Sequence, residues 1–387
     1  MDFYIEETDD DKEYLARREQ RRRMWRERQE RERKQRILIG LLCIGVLFII
    51  ITIAVVFSVF GKKAKTDDIP PQVQKAKAGG QADKSETFRI TAEETPAAGE
   101  EALEPEPEKT VYSFSETPDT AYINSEEVIS TNAILIDEST DTIIASKGAE
   151  ERISPASMTK VLTVLVAAEQ ITEEDLDDTF IMTLEITDYA YVNDCSSVGF
   201  LDGEEITVRD LFYGTILHSG GDAAVGLATY IAGSHEAFVD MMNAKLEELG
   251  ISDSTHFTNC VGLYDDNHYC TVYDMAVIMK AAMQNELCRE ILSAHTYTTV
   301  PTVKHPEGIT ISNWFLRKIE DKDTGGEVLC AKTGYVVQSR NCAVSYGTFA
   351  DQTPYICVTA GSTSSWRCIY DHVEIYNRYV AGNASGE

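Results

Sequence analysis

The chain has 387 residues, with 35 Lys and Arg against 64 Asp and Glu, for a formal net charge of −29. An acidic balance of this size excludes the basic footprint that a nucleic-acid partner needs, and it says little about fold. With 43% hydrophobic residues the chain can bury a sizeable core, and its length suits one large domain or two ordinary ones plus appendages.

The charge is unevenly spread: residues 1–36 hold 12 basic and 11 acidic residues, and residues 37–60 hold none. Residues 37–60 read ILIGLLCIGVLFIIITIAVVFSVF. A run of about 20 apolar residues matches a bilayer crossed as a helix. The run is longer than the apolar stretch of a cleavable signal and does not end in small residues, so a retained transmembrane helix is expected. Between Tyr14 and Arg36 stand 11 basic and 4 acidic residues. By the positive-inside rule, 1–36 is then a cytoplasmic basic tail and the bulk of the chain is extracytoplasmic, held at the cell membrane by a single pass. Residues 61–120, typified by EEALEPEPEK, have no sustained apolar period and read as a disordered acidic linker.

From Ala121 to the end at 387 the texture is that of a folded domain. Ala133–Asp137 (AILID) and Thr142–Ser146 (TIIAS) read as a hairpin, and an apolar helix is expected from Ser157 to about Ile171, just after Pro155. TVRD at Thr207–Asp210 reads as a capping box opening a helix to about Leu217, and a further helix starts near Asp222. Ser234 caps a helix ending at Gly250, and Asp274–Leu287 forms the next. Glu327–Tyr335, Asn341–Phe349 and Tyr355–Gly361 have strand character, and a closing helix runs from about Ser365 to Val380. Closely spaced late strands imply antiparallel hairpins, so a helix-flanked antiparallel sheet with an inserted helical subdomain is expected. Eight cysteines follow the apolar run, with no C-x-x-C among them; Cys260 and Cys270 bracket one short loop and are the candidate disulfide, against buried free thiols throughout.

Three short motifs occur in order: Ser157-Met158-Thr159-Lys160, Ser219-Gly220-Gly221 and Lys332-Thr333-Gly334. Alone, each has a plain structural reading: Ser157 as a helix cap, Ser219 as a helix end, Lys332 as a solvated strand lysine. Together they supply chemistry. Ser157 and Lys160, three apart at a helix start, share a face. A neutral lysine can take the serine proton, and neutrality requires desolvation or a neighbouring cation, for which Lys332 is the candidate. Ser219 is placed to relay a proton. The Lys332 ammonium and Thr333 hydroxyl suit a carboxylate, and Gly334 lets a ligand backbone approach the strand edge. The amides of Ser157 and Tyr335 would form an oxyanion hole. The seven histidines make no H-E-x-x-H pattern, so neither a zinc site nor any other cofactor is expected. His218 and His268 read as structural, Trp314 and Tyr335 as groove-lining or packing residues, and Arg340 as a candidate anion contact.

The trio resembles the motifs of penicillin-recognising serine enzymes. The likeness extends through AILID…TIIASKGAEERISPASMTK, SSVGFLDGEEITVRDLFYGTILHSGGDAA, GSHEAFVDMMNAKLEELGI and FTNCVGLYDDNHYCTVYDMA, and is greatest to the serine-type D-alanyl-D-alanine carboxypeptidases, the low-molecular-mass penicillin-binding proteins of peptidase family S11. The resemblance implies a mixed α/β, DD-peptidase/β-lactamase-like fold with an antiparallel five-stranded sheet flanked by helices. It implies a peptidoglycan stem peptide as substrate and β-lactam antibiotics as covalent inhibitors. Ser157 would be the nucleophile, Lys160 the general base, Ser219 the relay, and Lys332 with Thr333 the carboxylate clamp. One departure stands out: the family usually has Asn where this chain has Gly221, which leaves Asp222 or a water to compensate. A β-lactamase, or a wall-binding sensor with a weakened site, are the alternatives.

Overall fold

The computed structural model describes residues 112–380, except Ser125, Ala350 and Asp351. The expected tail, the span at 37–60 and nearly all of the linker lie outside these residues; among the described residues no helix is long and apolar enough to cross a membrane. The chain opens with β1 (Ser115–Tyr122), β2 (Asn132–Asp137) and β3 (Thr142–Lys147), then a 3-10 turn (Ala156–Thr159) runs into α1 (Lys160–Ala168). β4 (Thr179–Ile181), α2 (Leu184–Val192), β5 (Glu205–Thr207), α3 (Val208–Leu217), α4 (Gly221–Ala232) and α5 (His235–Glu248) follow. After α6 (Val272–Gln284) and α7 (Glu286–Ser293) come β6 (Thr296–Thr298), β7 (Thr310–Ser312) and the short α8 (Leu316–Ile319). The chain closes on β8 (Gly326–Val336), β9 (Arg340–Phe349), β10 (Pro354–Ser362) and α9 (Ser365–Tyr379).

The main sheet has six strands in the order β1-β3-β2-β10-β9-β8. Five of them, β3-β2-β10-β9-β8, pair antiparallel as expected. The sixth, β1, corrects the five-strand expectation: it pairs parallel to β3, and it begins inside the stretch assigned to the linker. Its sequence, SETPDTAY, is polar and largely exposed, so it carries no apolar signal. Pro118 fits an edge, where a missing N–H costs nothing, and the ladder is interrupted between Glu116 and Ala121.

Period-two alternation divides the core between the two faces of the sheet. Ile134 and Ile136 of β2 and Val344 of β9 face the helical subdomain, whereas Ala133, Leu135 and Ala343 face α9. All nine residues of α1 (KVLTVLVAA) are buried, because the helix is enclosed by α3, α4, α5 and α6. Two helix starts follow the expected caps, Thr207 and Ser234 accepting from the Asp210 and Ala237 amides, while a full capping box between Thr271 and Asp274 opens the next helix at Val272, ahead of its expected start. The single helix expected over Asp274–Leu287 is instead two. Asn285 adopts an extended conformation, and its side chain accepts from the Cys288 amide, ending α6 and starting α7.

The cysteines between 195 and 368 are all unpaired, so the candidate Cys260–Cys270 disulfide is not formed. The last helix is tied to the β1–β2 connection through Asp371, which is 0% exposed. Its carboxylate accepts from the Ile129 amide at 3.2 Å, the Ser130 amide at 2.9 Å, Ser130 Oγ at 2.6 Å, Ser362 Oγ at 3.2 Å and Arg367 Nε at 3.0 Å. Asp371→Ala strands these buried donors and is expected to lower unfolding stability by about 3 kcal/mol, read from urea titration; a loss under about 1 kcal/mol would show that the cluster re-pairs.

Candidate active site

Ser157 is half-buried in the 3-10 turn, and Lys160, 1% exposed, opens α1 one turn later. The spacing puts the amine on the hydroxyl: Lys160 Nζ donates to Ser157 Oγ at 3.1 Å and to the Val261 carbonyl at 2.6 Å. Burial lowers the Lys160 pKa to about 8, partly opposed by Cys195, Cys260 and Asp222. Burial is therefore what prepares the amine, the first of the two routes, desolvation or a neighbouring cation, that the sequence left open.

The loop bearing Val261 is organised by Asn259. Its Oδ1 accepts from the amides of Val261 at 3.2 Å, Gly262 at 2.7 Å and Leu263 at 2.9 Å. Gly262 has φ +82°, and a Cβ there would stand 1.8 Å from the Ala156 carbonyl oxygen. Ala156 itself has φ +47°, an uncommon conformation for a residue with a side chain and one stabilised here by complete burial. On the other side runs Gly334, whose Cβ would fall 2.9 Å from both the Pro155 carbonyl oxygen and the Ser157 amide nitrogen. Two glycines thus let neighbouring backbone close around the nucleophile turn.

The second amine comes from the sheet. Lys332 is 2% exposed, and its Nζ donates to Ser219 Oγ at 2.9 Å and to the Thr333 carbonyl at 2.7 Å. Burial first, and the Lys160 charge second, hold Lys332 well below the ordinary lysine range. It is not the solvated strand lysine of its plainest reading. Ser219 sits between α3 and α4 with φ +55°, which turns the chain sharply. β8 is the sheet edge: Lys332, Thr333 and Gly334 pair with Val344, Ala343 and Cys342 on one side only. The open side can accept an extended peptide as an added strand. Thr333 is half-buried, and Tyr335, 62% exposed, stands at the rim.

Gly221 begins α4, and its amide donates to the Ser196 carbonyl at 2.7 Å. Asp222, named as a possible substitute for the family's Asn, is committed elsewhere: its buried carboxylate accepts from Ser197 Oγ at 2.7 Å and from the Val198 and Gly199 amides at 2.9 Å each. His268 is structural. Its Nδ1 accepts from the Thr258 amide at 3.0 Å, so Nε2–H faces Thr159 Oγ1 at 2.9 Å, and burial depresses its pKa to about 3. His218 ends α3, also with a pKa lowered by burial. Trp314 packs edge-on against Trp366 in the core under α9, away from the amine–hydroxyl pairs. Arg340 lines a neighbouring hollow of about 410 Å³ with Arg152, Ser154, Tyr264 and Tyr269, and does not join those pairs. Sequence reasoning missed the Val261 carbonyl, because a backbone acceptor leaves no side-chain signature. Asn259 and Gly262, which shape that loop, were not singled out from the sequence either.

A model of the D-alanyl-D-alanine carboxypeptidase family, peptidase S11, matches residues 118–364. D-alanyl-D-alanine carboxypeptidase DacF of Bacillus subtilis is 36% identical over 155 residues, which is 40% of this chain and 39% of the relative. The chain thus spans about two fifths of the length of that relative, while a D-alanyl-D-alanine carboxypeptidase of Streptomyces sp. K15 is 29% identical over 64% of this chain and 86% of its own. Among solved structures, the Streptomyces K15 DD-transpeptidase superposes with a TM-score of 0.60 at 26% identity, covering 67% of this chain and 100% of that one. D-alanyl-D-alanine carboxypeptidase from Mycobacterium tuberculosis gives a TM-score of 0.56 at 25% identity, over 64% and 90%. With the family model covering most of the chain and the three motifs converging as described, this protein belongs to the peptidase S11 family of D-alanyl-D-alanine carboxypeptidases.

Proposed function

We propose that this protein is a serine-type D-Ala-D-Ala carboxypeptidase that trims the terminal D-alanine of peptidoglycan stem peptides through an acyl-enzyme. The observation that carries this reading is the Lys160 amine, dry and 3.1 Å from the Ser157 hydroxyl. In the proposed cycle, Lys160 takes the Ser157 proton as Oγ attacks the penultimate D-alanine carbonyl. The Ser157 and Tyr335 amides stabilise the resulting oxyanion. The peptide C–N bond then breaks, and the proton passes through Lys160 and Ser219 to the departing amine. Water, deprotonated in turn, attacks the ester carbonyl, restoring the Ser157 hydroxyl and releasing the shortened peptide. Lys332 and Thr333 hold the terminal carboxylate, Gly334 lets the peptide backbone lie along the β8 edge, and Gly221 lines the cleft near Ser219.

A second resolution of the same acyl-enzyme, transfer to an amine, is favoured by the likeness to a protein named a DD-transpeptidase, which this chain covers completely. The reading also includes a single membrane span at 37–60, with 1–36 cytoplasmic and the catalytic domain outside, supported by the charge-free run and the basic residues before it. Protease treatment of intact protoplasts should remove the domain and leave 1–36 protected; protection of the whole chain would overturn that topology.

Fluorescent penicillin is expected to form a covalent adduct on Ser157, located by mass spectrometry and absent from Ser157→Ala. Incubation with a D-Ala-D-Ala-terminated peptide should release D-alanine, and Lys160→Ala should slow that release by about 10³-fold. Binding of muropeptide with no adduct and no product would favour the sensor alternative, and rapid penicillin turnover with no lasting adduct the β-lactamase. The pH dependence follows from the lowered pKa of Lys160. The amine is a base only when deprotonated, so the acylation rate should rise with pH, reach half its plateau near pH 8 and stay level just above. A rate already level from pH 6 would exclude Lys160 as the base.

A further inference from the structure

The hollow of about 410 Å³ that Arg340 lines is walled mainly by three stretches of chain: Arg152–Ser154, the loop from Tyr264 to Tyr269, and the β8–β9 turn. Backbone pairing fixes these walls. Ile153 and Cys270 exchange hydrogen bonds at 2.8 and 3.1 Å, and His256 and Tyr269 do so at 3.0 and 2.9 Å. The cavity is therefore preformed, and its size suits a small polar ligand.

Its charged groups are held in place without partners of opposite sign. The Arg152 guanidinium lies 3.4 Å over the Tyr269 ring, which orients the fork and leaves its edge N–H groups open. Arg340 opens β9 with φ +54°, a left-handed conformation that glycine takes with less strain. Among the described residues neither guanidinium has a carboxylate partner. Asp265 and Asp266 share the lining, and each commits one carboxylate oxygen, to the Asn267 amide at 2.8 Å and to the Tyr264 hydroxyl at 2.5 Å. His268 adds no charge, because burial depresses its pKa to about 3. Ser154 Oγ is buried in the wall with no hydrogen-bond partner, an unsatisfied state that a ligand group would relieve. The hollow thus offers two cations, two carboxylates and one unsatisfied hydroxyl. A bare anion would meet Asp265 and Asp266, and a bare cation would meet the two guanidiniums, so the lining favours a ligand that carries both signs.

We propose that this hollow is a second ligand site, one that takes an amino acid in its zwitterionic form. The carboxylate pairs with Arg152 and Arg340, the ammonium with Asp265 and Asp266, and the Ser154 hydroxyl donates to the carboxylate. Ser157, Lys160, Ser219 and Lys332 do not line the hollow, so the site is separate from the acyl-transfer cleft.

The test is isothermal titration calorimetry of the full chain in detergent, with D-alanine, glycine, acetate and methylamine as separate probes. The amino acids should bind saturably, and acetate and methylamine at least about tenfold more weakly. Acetate bound as tightly as D-alanine would make the hollow a plain anion site and overturn the proposal, and so would the absence of saturable binding by either amino acid. Arg340→Gln and Asp266→Asn, both at exposed positions, should each weaken D-alanine binding at least about tenfold with an unchanged melting temperature. Ser154→Ala should weaken it about fivefold. Binding unchanged in all three variants, or lost instead in Lys332→Ala, would place the amino acid in the catalytic cleft and overturn the proposal. A wild type that penicillin does not label removes the acyl-transfer reading and leaves this one standing, because the charges and the cavity carry it alone.

Discussion

The Lys160 amine is held in a dry site by two oxygens, the Ser157 hydroxyl and the Val261 carbonyl, and much of the surrounding architecture serves to keep it there. Moving its pKa from 10.5 to about 8 corresponds to roughly 3 kcal/mol of bias toward the uncharged form. That is a substantial share of the stability a domain of this kind usually has. The surrounding structure therefore has to be firm. α1 is buried along its whole length, Asn259 fixes three successive amides of the Val261 loop, and the left-handed Ala156 is locked between that loop and the sheet. If any of these loosened, water would reach the amine, restore its charge and remove its capacity as a base.

The site is divided between two structural layers. The helical subdomain contributes the nucleophile turn and the Ser219 corner, and the sheet contributes Lys332 and its edge backbone. Each lysine is joined to a serine, Lys160 to Ser157 and Lys332 to Ser219, so two amine–hydroxyl pairs face one cleft. The two amines sense each other, and the repulsion weighs on Lys332. A carboxylate bound at Lys332 would stabilise the charged form of that amine, and a charged Lys332 in turn favours a neutral Lys160, so that anion binding and readiness of the Lys160 amine would be linked.

Much of this was legible from residues alone because side chains carry it. The three-residue spacing of Ser157 and Lys160, the caps at Thr207 and Ser234, and the strand character of β2 all follow from local pattern. What escaped has no such pattern. β1 is polar, edge-lying and contains Pro118, so nothing distinguishes it from linker. Asn285 divides a helix whose apolar period runs on across it, because one side-chain cap outweighs continuity. The Val261 carbonyl is a backbone group. Lys332 could be assigned to a strand from sequence, but its burial could be known only once the helical layer was in place over it.

The unpaired cysteines have a consequence for how this domain withstands oxidation. Seven of the eight between 195 and 368 are buried, and burial raises their pKa values, leaving almost no thiolate at neutral pH. Oxidants act on thiolate, so the native state is kinetically shielded, while the unfolded chain is open to scrambled cross-links. Where oxidant is present, folding is then a race between compaction and oxidation. The domain suits surroundings poor in oxidant, or a chain that folds quickly, because its described residues rely on packing and on no covalent staple.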